Sequence, residues 1–215
     1  METCNDKKYY ITIGRQFCAG GLELAEKLSR RLNIPMYDKE LLTEVSKQSG
    51  LCREILEKAD EKRGSMFSGG LFGIDMCSLM SGYYGNISVI DKNSIFQVQC
   101  DTICSSADRG PAIFVGRCAD YVLRERKSCL SVFITSDDEH RILRYRERMK
   151  CGDEVSDAKI MDILEDTDRK RSSYYDGLTF KEWGDSSSYD LCLDTSRFGI
   201  DGCIDLIFKA LEILK

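Results

Sequence analysis

Apolar residues fall along this chain in short runs, separated by stretches that repeat with the period of a helix. Tyr9-Tyr10-Ile11-Thr12-Ile13 is aromatic and β-branched and stops at Gly14, the pattern of a buried parallel strand. Leu24, Ala25, Leu28 and Leu32 then recur at helix spacing, with Glu23, Glu26, Lys27, Arg30 and Arg31 on the other faces and Asn33 as the stop. Pro35-Met36-Tyr37 fits a brief second strand. Asp38 is placed to cap a helix through Leu41, Leu42 and Val45 that Gly50 breaks, and Ile55, Leu56 and Ala59 mark another short helix. From about 64 to 86 the sequence turns to glycine, serine, methionine and aromatics with no sustained period, which predicts an irregular insertion.

Regular patterning then resumes. Ile95, Val98, Thr102, Ile103 and Ser106 predict a helix over about 94–107, and Pro111 restarts an extended chain through Ala112-Ile113-Phe114-Val115. A helical turn at Tyr121-Val122-Leu123 follows, then a strand at Leu130-Ser131-Val132-Phe133-Ile134, and charged helices over about 137–150 and 156–175. Tyr189-Asp190-Leu191-Cys192-Leu193 is the last predicted strand. Gly199 precedes a terminal helix whose apolar face is Ile200, Ile204, Ile207, Leu211 and Leu214. Alternating strands and helices predict an α/β fold with a mostly parallel sheet covered by helices on both sides, in one domain spanning 1–215.

Composition narrows the classes. The apolar fraction is 42% and no uninterrupted apolar run approaches the ~20 residues of a membrane-spanning helix. The N-terminal residues lack a secretory pattern, so the expectation is a soluble, cytoplasmic protein with no membrane partner. Eleven scattered cysteines with no Cys-x-x-Cys pair then read as reduced, mostly buried small hydrophobes. A net charge of −5 argues against a protein that coats a nucleic-acid polymer, while local arginine clusters can still bind a small phosphate. The single histidine, His140, lies among Asp137, Asp138, Glu139 and Arg141, the composition of a solvated helix start.

In open α/β sheets ligands bind beyond the carboxyl ends of the strands, so residues that directly follow strands are the candidates. Gly14-Arg15-Gln16-Phe17-Cys18-Ala19-Gly20-Gly21 joins the first strand to the first helix, where backbone amides and a helix N-terminus can surround an anion. The P-loop consensus places lysine and then serine or threonine after the last glycine, and here those places hold Gly21 and Leu22. By itself the loop reads first as a plain strand-to-helix turn. Gly116-Arg117 puts a guanidinium at a second strand end, either to fork a phosphate or to pair with Asp120. Arg141, Arg144 and Arg148 share one helix face, and Asp168 and Arg171 are spaced alike on the next helix; a solvated charged face has the same spacing. Taken together, amides and arginines are what phosphoryl transfer requires, because that chemistry rests on positioning and charge neutralisation.

The order of residues resembles the cytidylate kinase-like family. Ile11-Thr12-Ile13-Gly14-Arg15-Gln16-Phe17, Gly20-Gly21, Pro35-Met36-Tyr37-Asp38-Lys39-Glu40-Leu41 and Ala59-Asp60-Glu61-Lys62 carry the resemblance in the first half. Val115-Gly116-Arg117-Cys118-Ala119-Asp120-Tyr121-Val122-Leu123, Asp168-Arg169-Lys170-Arg171, Ser173-Tyr174-Tyr175, Trp183-Gly184-Asp185 and Tyr189-Asp190-Leu191-Cys192-Leu193-Asp194 carry it in the second. The resemblance implies a three-layer P-loop kinase-like fold with a five-stranded parallel sheet and a helical lid over about 137–175. It implies transfer of the ATP γ-phosphoryl group, with Mg²⁺, to CMP, dCMP or a related small phosphate acceptor. The loop from Gly14 through Arg15, Gln16, Phe17, Cys18, Ala19, Gly20 and Gly21 to Leu22 would then hold the donor phosphates. Arg117 would hold the acceptor phosphate, with Asp38 and Asp120 as further acceptor or Mg²⁺ contacts and helix capping as the other role open to Asp38. Arg141, Arg144, Arg148, Asp168 and Arg171 would act at the transferring group. Where family members commonly have Gly-Ser-Gly-Gly-Arg, this chain has Cys18-Ala19-Gly20-Gly21-Leu22. Losing a transition-state cation would cost about 4 to 7 kcal/mol of barrier, unless Arg15 or a lid arginine replaces it. A nucleotide-binding or regulatory protein with little turnover is the alternative.

Overall fold

The structure is a computed structural model, and it describes residues 9–42, 92–150 and 154–214. In chain order its elements are β1 (Tyr10–Arg15), α1 (Gly21–Leu32), β2 (Met36–Tyr37), α2 (Lys92–Asp108), β3 (Ala112–Val115), α3 (Ala119–Val122), β4 (Cys129–Thr135), α4 (Asp138–Met149), α5 (Asp157–Thr179), β5 (Leu191–Asp194) and α6 (Thr195–Ile213). The expected helix around Ile55 and the 64–86 insertion lie outside the described residues.

The strands form a five-stranded sheet in the order β2-β3-β1-β4-β5. β1 pairs in parallel with β3, placing Ile11 beside Ile113, and with β4, placing Ile11 beside Leu130; β4 pairs in parallel with β5. The sheet and its helices have the architecture of a P-loop kinase-like fold. Alternation along the strands divides two layers. Ile11, Ile13, Ile113, Val115, Leu130, Val132, Ile134 and Leu193 pack with Leu24, Ala25 and Leu28 of α1 and Cys203, Ile204 and Ile207 of α6. On the opposite face an aromatic group forms: Phe133 meets Trp183 edge-on at 5.1 Å and Tyr189 at 5.0 Å, and Tyr189 stacks on Tyr175 of α5.

Helix boundaries follow local chemistry. Asn33 closes α1 in the left-handed region, Asp137 and Ser156 accept the capping hydrogen bonds of α4 and α5, and Asp194 caps α6 through the Ser196 N–H. His140 sits in the exposed first turn of α4 with Nδ1 2.7 Å from Asp137 Oδ1, as a solvated helix start requires. Several ends differ from expectation. β1 does not stop at Gly14 but runs to Arg15, because Gly14 and Arg15 stay in register with Phe133 and Ile134 of β4. The last helix starts at Thr195, ahead of Gly199, which breaks it at φ 65° and ψ 169°. α5 continues past Tyr175 to Thr179, where Phe180 closes it in the left-handed region with its N–H on the Asp176 carbonyl. β5 begins at Leu191 because Asp190 turns its carboxylate onto the N–H and hydroxyl of Ser131.

The chain divides into two compact units, Met1–Met36 with Gly110–Lys215, and Tyr37–Arg109. In the second, the Asp38 carboxylate accepts the N–H groups of Glu40 and Leu41 at 3.1 and 2.9 Å, a helix cap. In α2 the buried positions Val98, Gln99, Thr102, Ile103, Ser106 and Ala107 recur at helix spacing. Among the described residues no helix is long and apolar enough to cross a membrane. None of the described cysteines is in a disulfide. Cys118 and Cys203 are buried as expected, Cys192 is exposed, and burial pushes the Cys129 thiol up to about 12.

Candidate functional site

The strand order reverses direction at the carboxyl ends of β1 and β3: the chain leaves β1 toward one edge and β3 toward the other, opening a crevice between the loops that follow them. The first loop, 16–20, is held on every side. Gln16 extends the β1–β4 ladder by donating its N–H to the Ile134 carbonyl at 3.0 Å, and its Oε1 accepts from the Thr135 hydroxyl and the Ser136 N–H. Ala19 is fully buried, and its carbonyl accepts the Thr195 hydroxyl at 2.8 Å.

Two helices brace the same loop. Arg141 of α4, 4% exposed, donates from Nε to the Phe17 carbonyl at 3.0 Å and pairs through Nη2 with Asp168 Oδ2 of α5. Asp168 Oδ1 accepts the Phe17 N–H at 2.7 Å, and Arg171 Nη1 donates to the Arg15 carbonyl at 3.0 Å. Arg171 also lies over the Phe17 ring at 5.4 Å. Burial raises the Asp168 carboxyl above its ordinary value, opposed by the Phe17 N–H and the two arginines. Arg144 reaches across to Glu23 in the first turn of α1, at 2.9 Å. Arg148, at the exposed end of α4, acts electrostatically on Cys18 together with Arg141 and Arg171.

The glycines have separate physical reasons. Gly20 is left-handed (φ 82°), and a Cβ there would lie 2.9 Å from Arg144 Nη2; as the residue before α1 it offers no side-chain cap, so the helix N-terminus presents its amides to the crevice. At Gly14 a Cβ would meet Phe133 at 2.8 Å and Tyr189 at 3.1 Å, so this glycine serves aromatic packing. A Cβ on Gly21 would meet the Arg15 stem, and one on Gly116 the Arg15 guanidinium. Leu22 sits half-buried against the sheet core.

In the loop after β3, Gly116, Arg117 and Cys118 are all left-handed, with φ of 75°, 58° and 55°. Arg117 lies over the Tyr174 ring at 5.9 Å. Asp120 accepts the Tyr175 hydroxyl, and burial raises its carboxyl above the ordinary value. The Tyr175 hydroxyl is pushed up in turn, by burial and by that bond.

The structure thus brings Arg141, Arg144, Arg148, Asp168 and Arg171 around the loop from Arg15 to Gly20. It places Arg117 and Asp120 at the neighbouring strand end and Asp38 in the other unit as a cap. Thr195, Thr135 and Ser136 were missed. Thr135 ends β4, Ser136 follows it and Thr195 follows β5, and their position at strand ends was the available signal.

A donor phosphate would meet backbone amides, the α1 N-terminus and arginines here, so the residues fit an anion. Among the described residues no group of three His, Cys, Asp or Glu side chains could hold a metal ion. Mg²⁺ carried on nucleotide phosphates with its own waters needs no such cage.

Comparison with known proteins places the chain in a family. Residues 10–197 match the model of the cytidylate kinase-like family. Cytidylate kinases from Methanococcus maripaludis strains C7 and C5 are each 30% identical over 112 residues, covering 51% of this chain and 61% of theirs. The alignment therefore spans about three fifths of the length of those curated relatives. An uncharacterized protein from Eubacterium ventriosum ATCC 27560 has a similar structure, with a TM-score of 0.70 and 26% identity over 95% of this chain and 99% of that one. With its sheet order, its loop and a family match over most of its length, the chain belongs to the cytidylate kinase-like family.

Proposed function

We propose that this protein is a nucleotide kinase that transfers the γ-phosphoryl group of ATP to CMP, dCMP or a related small phosphate acceptor in the cytoplasm. The observation that carries the reading is the loop itself. Its left-handed Gly20 and the uncapped start of α1 face a crevice at the switch point, and guanidinium groups from two helices converge on it.

The donor phosphates bind the amides around Gly20 and Gly21, where the helix dipole favours negative charge. Asp168 holds the N–H of Phe17 and Arg141 its carbonyl, so both peptide groups flanking that residue are fixed before the nucleotide arrives. Arg117, at the end of β3, takes the acceptor phosphate in a bidentate fork. An acceptor phosphate oxygen attacks the γ-phosphorus, the bond from that phosphorus to the bridging oxygen breaks, and ADP leaves with the electron pair. No general base is required, because the attacking oxygen is already ionised. Mg²⁺ on the donor phosphates neutralises their charge.

The test is ADP formation by the purified protein with ATP, Mg²⁺ and each of CMP, dCMP, UMP, AMP and GMP, alongside Arg117→Ala. Turnover with one acceptor, and a raised KM for that acceptor in Arg117→Ala, is the expected result; unchanged acceptor kinetics would remove Arg117 from its role. A second reading has its own observation: Leu22 brings no hydroxyl, and the Asp168 carboxylate already holds a loop N–H. A binding or regulatory protein would bind ATP in calorimetry and show no turnover with any acceptor. Absence of binding would defeat both readings.

A further inference from the structure

We propose that Arg15 supplies the phosphate-binding cation that the P-loop consensus takes from a lysine at the place of Gly21, and that Gly21 is a glycine because the Arg15 stem runs past it, while Gly116, left-handed at φ 75°, leaves open the space the Arg15 guanidinium enters. The inference rests on the nucleotide kinase reading and names the donor-phosphate cation within it.

The consensus lysine follows the last loop glycine, the place Gly21 occupies. That place is filled from elsewhere in the chain. A Cβ on Gly21 would lie 2.7 Å from Arg15 Cβ and 3.0 Å from Arg15 Cγ, with Ile134 Cβ next at 3.6 Å. The first of these contacts is to an atom fixed by the backbone, so no side chain fits at 21 while any residue other than glycine stands at 15. Arg15 then extends toward the end of β3. A Cβ on Gly116 would fall on Arg15 Nη1, with Cζ at 3.3 Å and Nη2 at 3.7 Å. The guanidinium therefore lies at the crevice between the two loops, beside the residue that precedes Arg117.

The base of this side chain is fixed. Arg15 is paired with Ile134 in the β1–β4 ladder, and its carbonyl accepts from Arg171 Nη1 at 3.0 Å. A cation launched from a strand end is preorganised, and a guanidinium offers two parallel donors to phosphate oxygens where an ammonium offers a point charge. Positions 15, 21 and 116 form one unit: a long cation at the first and no side chain at the other two.

Calorimetric titration with ATP and with inorganic tripolyphosphate tests this. Arg15→Gln should weaken both about 10- to 100-fold, the range of a charge-assisted phosphate contact, and Arg15→Lys should recover part of the loss. Wild-type binding of ATP with unchanged affinity in a folded Arg15→Gln would overturn the assignment of Arg15 and leave the kinase reading standing. Wild type that binds neither ligand overturns both. Should Arg15→Gln not fold, the pair Arg15→Gly with Gly21→Lys decides, because it opens the place at 21 and refills it with the consensus cation. Tripolyphosphate binding within about tenfold of wild type supports the exchange, and a folded double variant that does not bind overturns it.

Discussion

The main-chain N–H of Phe17 donates to the carboxylate of Asp168 at 2.7 Å, across most of the length of the chain. Asp168 holds Arg141 through its other oxygen, and Arg141 returns to the Phe17 carbonyl, so the two peptide groups that flank Phe17 are held by a single ion pair. The loop from Gln16 to Gly20 is thereby shaped by the helices α4 and α5, and a change in their packing reaches it directly.

Asp168→Ala should destabilise the protein by about 3 kcal/mol, because it leaves the buried Arg141 without its main counter-charge and the Phe17 N–H without an acceptor. Asp168→Asn keeps an acceptor for that N–H and should cost less. Urea denaturation of the three proteins checks the order; equal midpoints would mean that the grip adds nothing to stability.

Gly20→Ala should cost about 1 to 2 kcal/mol for a left-handed non-glycine residue, and its methyl group would press on Arg144 Nη2 and break the Arg144–Glu23 pair. Thermal melting reads the first effect. Glu23→Gln separates the second, because it loosens the pair without altering the loop, and it should leave the melting temperature within the few degrees expected of an exposed ion pair.

Asp120 gives a pH dependence opposite in sign to that of a carboxylate held in an ordinary ion pair. Burial raises its folded-state value above 3.8, so between the unfolded and folded values the native protein holds more protons than the unfolded chain. The stability it contributes is full below the unfolded value and is lost as pH rises through the folded one. Asp120→Asn should therefore lose less stability than wild type as pH rises from the unfolded carboxylate value through the raised folded one, while Tyr175→Phe, which strips the carboxylate of its hydroxyl donor, should be less stable than wild type by about 1 to 3 kcal/mol at neutral pH. Denaturant titrations across that range measure both; parallel curves for wild type and Asp120→Asn would remove Asp120 as their cause.

Much of this fold was legible in the sequence. The strands at Ile11, Phe114 and Val132 are short, mainly apolar runs, broken by Thr12 in the first and Ser131 in the third, that a doubly covered sheet accommodates, and Asn33 and Asp137 mark helix ends by local rules. The convergence of the α4 and α5 arginines near the loop was foreshadowed by their shared spacing. Their partners were not. Nothing in the periodicity of α4 links Arg141 to the Phe17 carbonyl, and nothing near Asp120 points to Tyr175, because both bonds join segments that meet only through tertiary packing. The glycines were also ambiguous: Gly14 reads as a phosphate-loop residue, and its missing Cβ makes room for Phe133 and Tyr189.

The central place of β1 sets a problem of timing during synthesis. Ile11 pairs with Ile113 on one side and Leu130 on the other, and neither partner is a neighbour along the chain. A ribosome adding about 5 to 20 residues per second would release this apolar strand on the order of ten seconds before the first of those partners emerges. Through that interval both its hydrogen-bonding edges are open to other nascent chains, and parallel pairing at such separation is intrinsically slow. The strand on which the candidate site is built is thus the one most in need of shielding, and raised aggregation in a cell stripped of nascent-chain chaperones should map to the segment from Tyr10 to Arg15.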